Sequence, residues 1–82
     1  MDERLRQILK STEMKKIVEI AKQNGKIDKR QVLTVYASPH QAMRVIDYLI
    51  LNKVLRIKDV GVYEYCFDDQ NNFVVEENKQ SD

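Results

Sequence analysis

The sequence of 82 residues contains one cysteine, one histidine and no tryptophan. A single thiol, Cys66, cannot form an internal disulfide, and together with His40 it provides no spacing typical of metal ligands. We therefore expect neither a metal site nor a cofactor. The absence of a disulfide framework is typical of a protein of the reducing cytoplasm.

Glycine is also scarce, because Gly25 and Gly61 are the only two glycines in the sequence. Two isolated glycines cannot form a glycine-rich phosphate-binding loop. No pair of carboxylates has a spacing that indicates acid–base catalysis, and a chain of this length offers little concavity for a small-molecule ligand. We expect that the protein is not an enzyme, and the sequence makes no small-molecule ligand evident.

Long apolar runs are missing as well. No run approaches the roughly 18 residues that a membrane-spanning helix needs, and residues 1–4 lack the basic-then-apolar layout of a secretory signal. Hydrophobic residues make up 43% and charged residues 33% of the sequence, a composition typical of one soluble globular domain. The expected location is therefore cytoplasmic, without membrane contact.

The net charge of +1 is distributed unevenly along the sequence. Residues 1–67 hold 13 Lys and Arg against 8 Asp and Glu, whereas residues 68–82 hold one Lys against five acids. Within residues 22–58, eight basic residues face two acidic ones, which gives a net charge of +6. A basic patch of this kind indicates binding to a polyanion, although many charged runs are only solvated surface.

Two short apolar stripes open the chain, and they are out of helical phase. The first consists of Leu5, Ile8 and Leu9, and the second of Met14, Ile17, Val18 and Ala21. We favour a break at Ser11–Thr12, where either residue can cap a new helix. The alternative is one continuous helix with two apolar faces, one of which would need a partner. In both cases Leu5, Ile8 and Leu9 are candidate dimer contacts.

The second predicted helix is short and well capped. Gly25 ends the helix before it, and residues 26–27 leave room only for a brief extended segment. Asp28 and Gln31 have the spacing of a capping box, and Ile27 and Val32 that of a hydrophobic staple. These signals predict a helix over about residues 29–36, with one short turn before the next helix.

The third predicted helix has the strongest start signal in the sequence. Ser38 can cap it, Pro39 lies at the first helical position, and Gln41 completes the spacing of a capping box. Its predicted core face consists of Ala42, Val45, Ile46, Leu49 and Ile50. Its predicted outer face consists of His40, Gln41, Arg44, Asp47 and Tyr48.

After this helix the hydrophobic period changes from helical to alternating. Residues 54–58 predict a strand with Leu55 and Ile57 on one side, residues 59–61 a tight turn, and residues 62–67 a returning strand. Residues 68–72 break the pattern. Residues 73–75 predict a short third strand or a segment docked on the core, and we expect the acidic end of the chain to be mobile.

This order of elements resembles the winged helix-turn-helix family over residues 12–67. The segments 54–57 and 61–65 are similar to the wing of small prokaryotic, archaeal, plasmid or viral regulators. The resemblance predicts an α+β fold in which a three-helix core carries a short C-terminal β-hairpin wing. Residues 1–11 would be an N-terminal helical extension and residues 68–82 an acidic tail.

The resemblance implies sequence-specific binding of double-stranded DNA by a small transcriptional regulator that acts as a homodimer. The third helix would enter the major groove, where glutamine pairs with adenine and arginine with guanine. The expected base contacts are His40, Gln41 and Arg44. The expected contacts to the DNA backbone are Lys29 and Arg30 with the free N–H groups of the second helix, Tyr48, and Arg56 and Lys58 on the wing.

Several residues have alternative roles. The alternative for Gln41 is that it is a capping partner of Ser38 and nothing more. The alternative for Arg44 is that it pairs on the helix surface with Asp47 or Tyr48. Asp47 would repel phosphate unless it accepts from cytosine or orients Arg44, and Leu51 lies on the same outer face. These two residues favour a second hypothesis, a winged-helix module for protein–protein interaction in a replication, segregation or repair assembly. In a third, the acidic tail competes with DNA for the basic face.

Overall fold

A computed structural model of the protein describes residues 3–67. The elements follow in the order α1 (Glu3–Ile8), α2 (Thr12–Asn24), β1 (Lys26–Asp28), α3 (Lys29–Val35), α4 (Pro39–Leu51), β2 (Leu55–Asp59) and β3 (Val62–Tyr65). The predicted α+β class is confirmed. The predictions for the tail, including the strand or docked segment at residues 73–75, lie outside the described residues.

The chain breaks between α1 and α2, as the phase change of the apolar stripe predicts. Ser11 has an extended backbone, and its hydroxyl oxygen accepts a hydrogen bond from the Met14 N–H at 3.2 Å. This cap starts α2 and lets α1 fold back onto the body of the protein. The N-terminal stripe therefore faces the same core as the rest of the chain.

This placement bears on Leu5, Ile8 and Leu9, the three residues that the sequence predicts as dimer contacts. Leu5 is 1% exposed and Leu9 is 5% exposed, and both belong to the core of their own chain. Ile8 is half-buried and packs against that core. A second copy of the chain cannot contact Leu5 and Leu9 unless α1 first leaves the core.

The sheet has one more strand than the predicted hairpin. β1, which the sequence indicates only as a brief extended segment, pairs antiparallel with β3, so the strand order is β1-β3-β2. Gly25 ends α2 in the left-handed region, with φ of 81°, and its carbonyl accepts a hydrogen bond from the Tyr65 N–H at 3.0 Å. The turn at Gly25 thus delivers the chain directly to the edge of the hairpin.

The side chains of the sheet divide into a buried row and an outward row. Ile27 and Tyr63 lie opposite each other and are buried, as is Leu55 at the start of β2. Lys26, Glu64 and Arg56 occupy the next row and alternate to the other face, because successive strand residues point to opposite sides. Among residues 3–67 no charged side chain is buried, so the core is entirely apolar in its packing.

Caps position α3 and α4. Around α3 the capping box is complete: Asp28 Oδ1 accepts from the Gln31 N–H at 2.8 Å, and the Asp28 N–H donates to Gln31 Oε1 at 2.9 Å. Ser38 caps α4 through a 3.3 Å bond from the Gln41 N–H, with Pro39 as the first helical residue. The short connection between the two helices that the sequence predicts is confirmed.

The hairpin turn is tied to the helical part of the fold. Gly61 has φ of 71°, and its carbonyl accepts a hydrogen bond from the Lys29 N–H at 2.8 Å. Asp59 Oδ1 accepts from the Val60 N–H at 2.7 Å, and the pairing of β2 with β3 is irregular between Ile57 and Asp59. The tip is therefore short and lies beside the start of α3.

Candidate functional site

The outer face of α4 carries a continuous exposed stripe. His40, Arg44, Asp47 and Leu51 follow one another at intervals of three or four residues, which places them on one side of a helix. All four are exposed, and Leu51 is 80% exposed. On the opposite side, the predicted core residues Ala42, Val45, Ile46 and Leu49 are buried, and Ile50 packs against them. The stripe is thus a surface available to a partner.

Arg44 and His40 have unused hydrogen-bonding capacity. With residues 3–67 neither side chain forms a hydrogen bond or an ion pair, so the alternative pairing of Arg44 with Asp47 or Tyr48 is not formed. A guanidinium group carries five N–H donors in a planar fork that matches two acceptors at once. The first two turns of α4 therefore present a cation and an imidazole to solvent.

Gln41 is held by its backbone and not by its side chain. Its N–H donates to the Ser38 hydroxyl, but its carboxamide makes no return bond to Ser38, unlike the carboxamide of Gln31 at the start of α3. The side chain is exposed, so half of the capping box predicted from the sequence is present. The carboxamide of Gln41 therefore remains available to bind a partner beside Arg44.

The hydroxyl of Tyr48 has a partner within the chain. The sequence predicts a phosphate contact, but the Tyr48 hydroxyl donates to the Ile8 carbonyl at 2.7 Å. A phenol has one donor hydrogen, so this bond uses the group that a phosphate would need. Tyr48 instead fastens the end of α1 to the side of α4, a contact between residues forty positions apart in sequence.

The start of α3 also differs from the prediction. The Lys29 N–H donates to the Gly61 carbonyl and the Gln31 N–H to Asp28, so these N–H groups are not free to bind a phosphate. The side chains of Lys29 and Arg30 are exposed and make no ion pair with residues 3–67. Any anion at this position would be bound by the two side chains, beside the carboxylate of Asp28.

The basic residues of the hairpin are paired within the chain. Arg56 Nε donates to Glu64 Oε1 at 2.7 Å, and Lys58 Nζ lies 3.8 Å from Glu64 Oε2. The hydrogen bond from Arg56 holds the pKa of the Glu64 carboxyl below its usual value, and the same bond raises the pKa of Arg56. Glu64 thus reduces the positive field at the two positions that the sequence assigns to the DNA backbone.

Two apolar side chains near the tip are exposed, and one of them, Ile57, is more exposed than the alternating pattern predicts. Ile57 was expected on the same buried side as Leu55, but it is 68% exposed, and Val60 in the turn is 96% exposed. The hairpin extends past the edge of the core, so alternation alone overestimates burial at its far end.

An open cleft of about 440 Å³ lies beside the first turns of α4. Its lining consists of Met14, Ser38, His40, Gln41, Arg44, Val45 and Tyr48. Met14 belongs to α2, and its sulfur lies 3.4 Å from the Lys10 N–H. The sequence places Met14 only in an apolar core stripe, because no local pattern indicates that Met14 of α2 lines a cleft together with residues of α4.

The part of the chain that the structure describes shows no other chemical centre. Residues 3–67 contain no group of three metal-ligating side chains and no helix that could cross a membrane. The Cys66 thiol donates to the Lys53 carbonyl at 3.4 Å, and burial raises its pKa, which keeps it protonated at neutral pH.

Comparisons with protein-family models, with curated proteins and with solved structures gave no match to this chain.

Proposed function

We propose that the protein binds double-stranded DNA sequence-specifically, as a small transcriptional regulator of the winged helix-turn-helix type. The layout supports this proposal: α2, β1, α3, α4 and the β2–β3 hairpin follow in that order, and the sheet has the strand order β1-β3-β2. In such a domain α4 is the recognition helix and the hairpin is the wing. The order of the elements supports this function only by analogy with other domains, so further support must come from the side chains.

The observation that carries the proposal is the pair Gln41 and Arg44 on the first two turns of α4. Both side chains are exposed and have no partner within residues 3–67, and three positions separate them along the helix. A recognition helix contacts base edges through its N-terminal turns. There the carboxamide of Gln41 can pair with adenine and the guanidinium of Arg44 with guanine, while His40 lies beside them.

The backbone contacts are fewer than the sequence predicts. Lys29 and Arg30 keep exposed, unpaired side chains and are the best candidates for phosphate contacts. Arg56 and Lys58 must share their charge with Glu64, and Tyr48 has already used its donor. The expected affinity therefore comes from a small number of phosphate contacts together with the base contacts of α4.

A homodimer remains part of the proposal for an energetic reason. Each base pair that is read correctly contributes about 1–3 kcal/mol, so the few side chains of one α4 give limited discrimination. Two copies on a palindromic site would double the number of base contacts, with half-sites about 34–36 Å apart. Sedimentation of the protein with and without duplex DNA measures this directly, and a 1:1 complex on every selected site would contradict it.

The test of the proposal is selection from a random duplex pool, followed by anisotropy titrations of the selected duplex at several salt concentrations. We expect the logarithm of the affinity to fall linearly with the logarithm of the salt concentration, because each neutralised phosphate releases counterions. A scrambled duplex of the same length is the control and should bind at least tenfold more weakly, a difference of about 1.4 kcal/mol. Failure to bind any duplex at low salt would refute the proposal.

A second candidate function is supported by the lower half of the same stripe. Leu51 is 80% exposed and Asp47 adds a negative charge, and neither property favours contact with DNA. Both would suit a protein partner that buries Leu51, because exposed large apolar side chains often mark such surfaces. Leu51→Ser should leave DNA binding unchanged under the first function and abolish complex formation under the second.

A further inference from the structure

We propose that the exposed face of α4 pairs with the same face of a second copy of the chain, antiparallel and about a two-fold axis. This pair forms without DNA and differs from two copies on a palindromic site, in which both α4 helices face the duplex. The pairing itself does not rest on the proposed function. Its consequence does: the pair covers Arg44, so self-association and DNA compete for one surface.

The exposed residues of this face have a symmetric spacing. They are separated by four, three and four positions, in the order His40, Arg44, Asp47 and Leu51. Intervals of four and three form the seam along which two helices pack in a coiled coil. In one antiparallel register, Arg44 of each copy lies opposite Asp47 of the other. The same register places His40 of each copy opposite Leu51 of the other, so a single arrangement matches all four positions.

The charges of the face are complementary in that register. Neither Arg44 nor Asp47 forms an ion pair within residues 3–67, so both side chains can pair with another copy. Two equivalent ion pairs would form, because each copy supplies one cation and one carboxylate. In a parallel pair in register the two arginines would lie against each other, which is unfavourable. The charges therefore favour the antiparallel orientation.

Apolar side chains border the charged positions. Leu51 is 80% exposed, and Met43 is half-buried, with its sulfur 4.0 Å from the Tyr63 hydroxyl of the hairpin. Tyr63 pairs across the sheet with Ile57, which is 68% exposed. A two-fold axis places the same flank of each copy side by side, so these apolar residues would meet their counterparts. Their burial on pairing is favourable by the hydrophobic effect.

The pairing should be weak and reversible. One helix face offers less surface than a permanent dimer buries, so we expect a dissociation constant in the high micromolar range. Below that concentration the chain is monomeric, and titrations there report on DNA binding alone. Above it, the pair covers the N-terminal turns of α4, and DNA must first separate the two copies.

Sedimentation equilibrium of the unaltered chain and of three variants, without DNA, tests the surface. Arg44→Asp leaves carboxylates opposite carboxylates, so it should raise the dissociation constant of the pair roughly tenfold or more. Asp47→Arg should have the same effect, through opposed arginines. Glu19→Arg is the matched control, because it makes the same change of charge at an exposed position of α2 and should leave self-association unchanged. A chain that stays monomeric, or one whose association none of these variants weakens, would overturn the inference.

A mixture of the two single variants tests the two-fold geometry. Arg44→Asp has only acids at the two positions and Asp47→Arg only bases, so a mixed pair regains both ion pairs and should associate about as tightly as the unaltered chain. The chain with both substitutions keeps the net charge of +1 and should also self-associate. No recovery in either case would overturn the pairing.

The register is tested by nuclear Overhauser effects between an isotope-labelled copy and an unlabelled copy. We expect contacts from the Leu51 methyl groups of one copy to the His40 ring of the other. Contacts between the two Leu51 side chains would indicate a parallel pair and would overturn the inference.

The remaining outcomes separate this inference from the proposed function. A chain that binds a selected duplex but stays monomeric at millimolar concentration without DNA would overturn the pairing alone. Pairing through α4 in a chain that binds no duplex would support the pairing and refute the proposed function instead. Where both occur, a duplex with a single half-site should dissociate the pairs, and pairs that persist in saturating duplex would overturn the competition.

Discussion

The first turns of α4 and the outward face of the hairpin both present arginine to solvent, but the two arginines are in different electrostatic states. Arg44 has no partner within residues 3–67, whereas Arg56 donates to Glu64 at 2.7 Å and Lys58 lies 3.8 Å from the same carboxylate. A count of basic residues treats the two regions alike. Their contacts show that Arg44 is unpaired, whereas both cations of the hairpin lie near Glu64, so we expect the α4 region to dominate binding to an anionic partner.

The α4 region and the hairpin also differ in the contacts that hold each of them to the rest of the fold. The α4 region is joined to α1 by the hydrogen bond from the Tyr48 hydroxyl to the Ile8 carbonyl, and Leu5 of α1 is buried in the common core. The hairpin is supported by ladder hydrogen bonds and by the bond from Lys29 to Gly61. Substitutions in α1 should therefore affect α4 and leave the Glu64 cluster in place while the protein remains folded.

The largest expected effect is that of Leu5→Ala, which removes a buried side chain of α1 from the common core. Leu5 is 1% exposed, so its truncation should lower the free energy of unfolding by about 2–5 kcal/mol, from lost burial and the cavity that remains. Urea denaturation monitored by circular dichroism measures this. The matched control is Leu51→Ala, which is expected within about 0.5 kcal/mol of the unaltered chain. Equal, small effects would show that Leu5 is not in the core.

The next effect concerns affinity and distinguishes the two arginines. Arg44→Ala should weaken binding to a selected duplex by about 1–3 kcal/mol and relax the preference at one base pair. Arg56→Ala removes the same charge from a paired position, so it should cost less and weaken all sequences alike. Anisotropy titrations against the selected and the scrambled duplex provide both numbers. A larger loss for Arg56→Ala than for Arg44→Ala would reverse the comparison.

A smaller effect is expected for Tyr48→Phe. This substitution removes the bond to the Ile8 carbonyl and should lower the free energy of unfolding by about 1 kcal/mol. Tyr36→Phe is the control, because no hydrogen bond of the Tyr36 hydroxyl is formed within residues 3–67. If Tyr48 contacted phosphate instead, Tyr48→Phe would reduce DNA affinity without changing stability, and thermal denaturation with and without DNA distinguishes the two cases.

The smallest effects concern Glu64. Glu64→Gln releases Arg56 and Lys58, so it should tighten binding to the scrambled duplex a few-fold and steepen the salt dependence by up to about one phosphate contact. Glu19→Gln removes an equal charge from α2 and should change neither quantity. Unchanged salt dependence in Glu64→Gln would mean that the hairpin does not approach DNA.

The ion pair of Glu64 with Arg56 also leads us to expect that the stability of the protein depends on pH. The bond from Arg56 lowers the folded-state pKa of Glu64, so its stabilising contribution is present above the unfolded carboxyl pKa and is lost as the pH falls through the lowered value. Acid denaturation of Glu64→Gln should therefore be shallower over this range than that of the unaltered chain. Identical acid profiles would show that the ion pair contributes nothing to folding.

The helix caps and the hairpin turn are predictable from the sequence, because each depends on residues that are close together in the chain. The sequence predicts Asp28 and Ser38 as helix caps and offers Ser11 or Thr12 as the cap of α2; Ser11, Asp28 and Ser38 each accept the N–H bond that defines a cap. The turn at residues 59–61 followed in the same way from Gly61. These features involve residues within three or four positions of one another, so a single sequence contains the information that they need.

The remaining features depend on contacts between distant segments. β1 becomes a strand because β3 pairs with it, and Tyr48 binds Ile8 across forty residues. The ion pair of Glu64 with Arg56 depends on the register of the hairpin, which composition does not reveal. The sequence does not reveal that Tyr48 and Arg56 have partners within the chain, because no local pattern specifies those partners.

Chemical-shift mapping of the full chain during titration with a selected duplex tests the central claim most directly. The account predicts that the largest changes fall on residues 39–45 at the start of α4, with smaller changes at Lys29 and Arg30 and the smallest over residues 56–64. The largest changes over residues 56–64, or no changes at any duplex concentration, would contradict it.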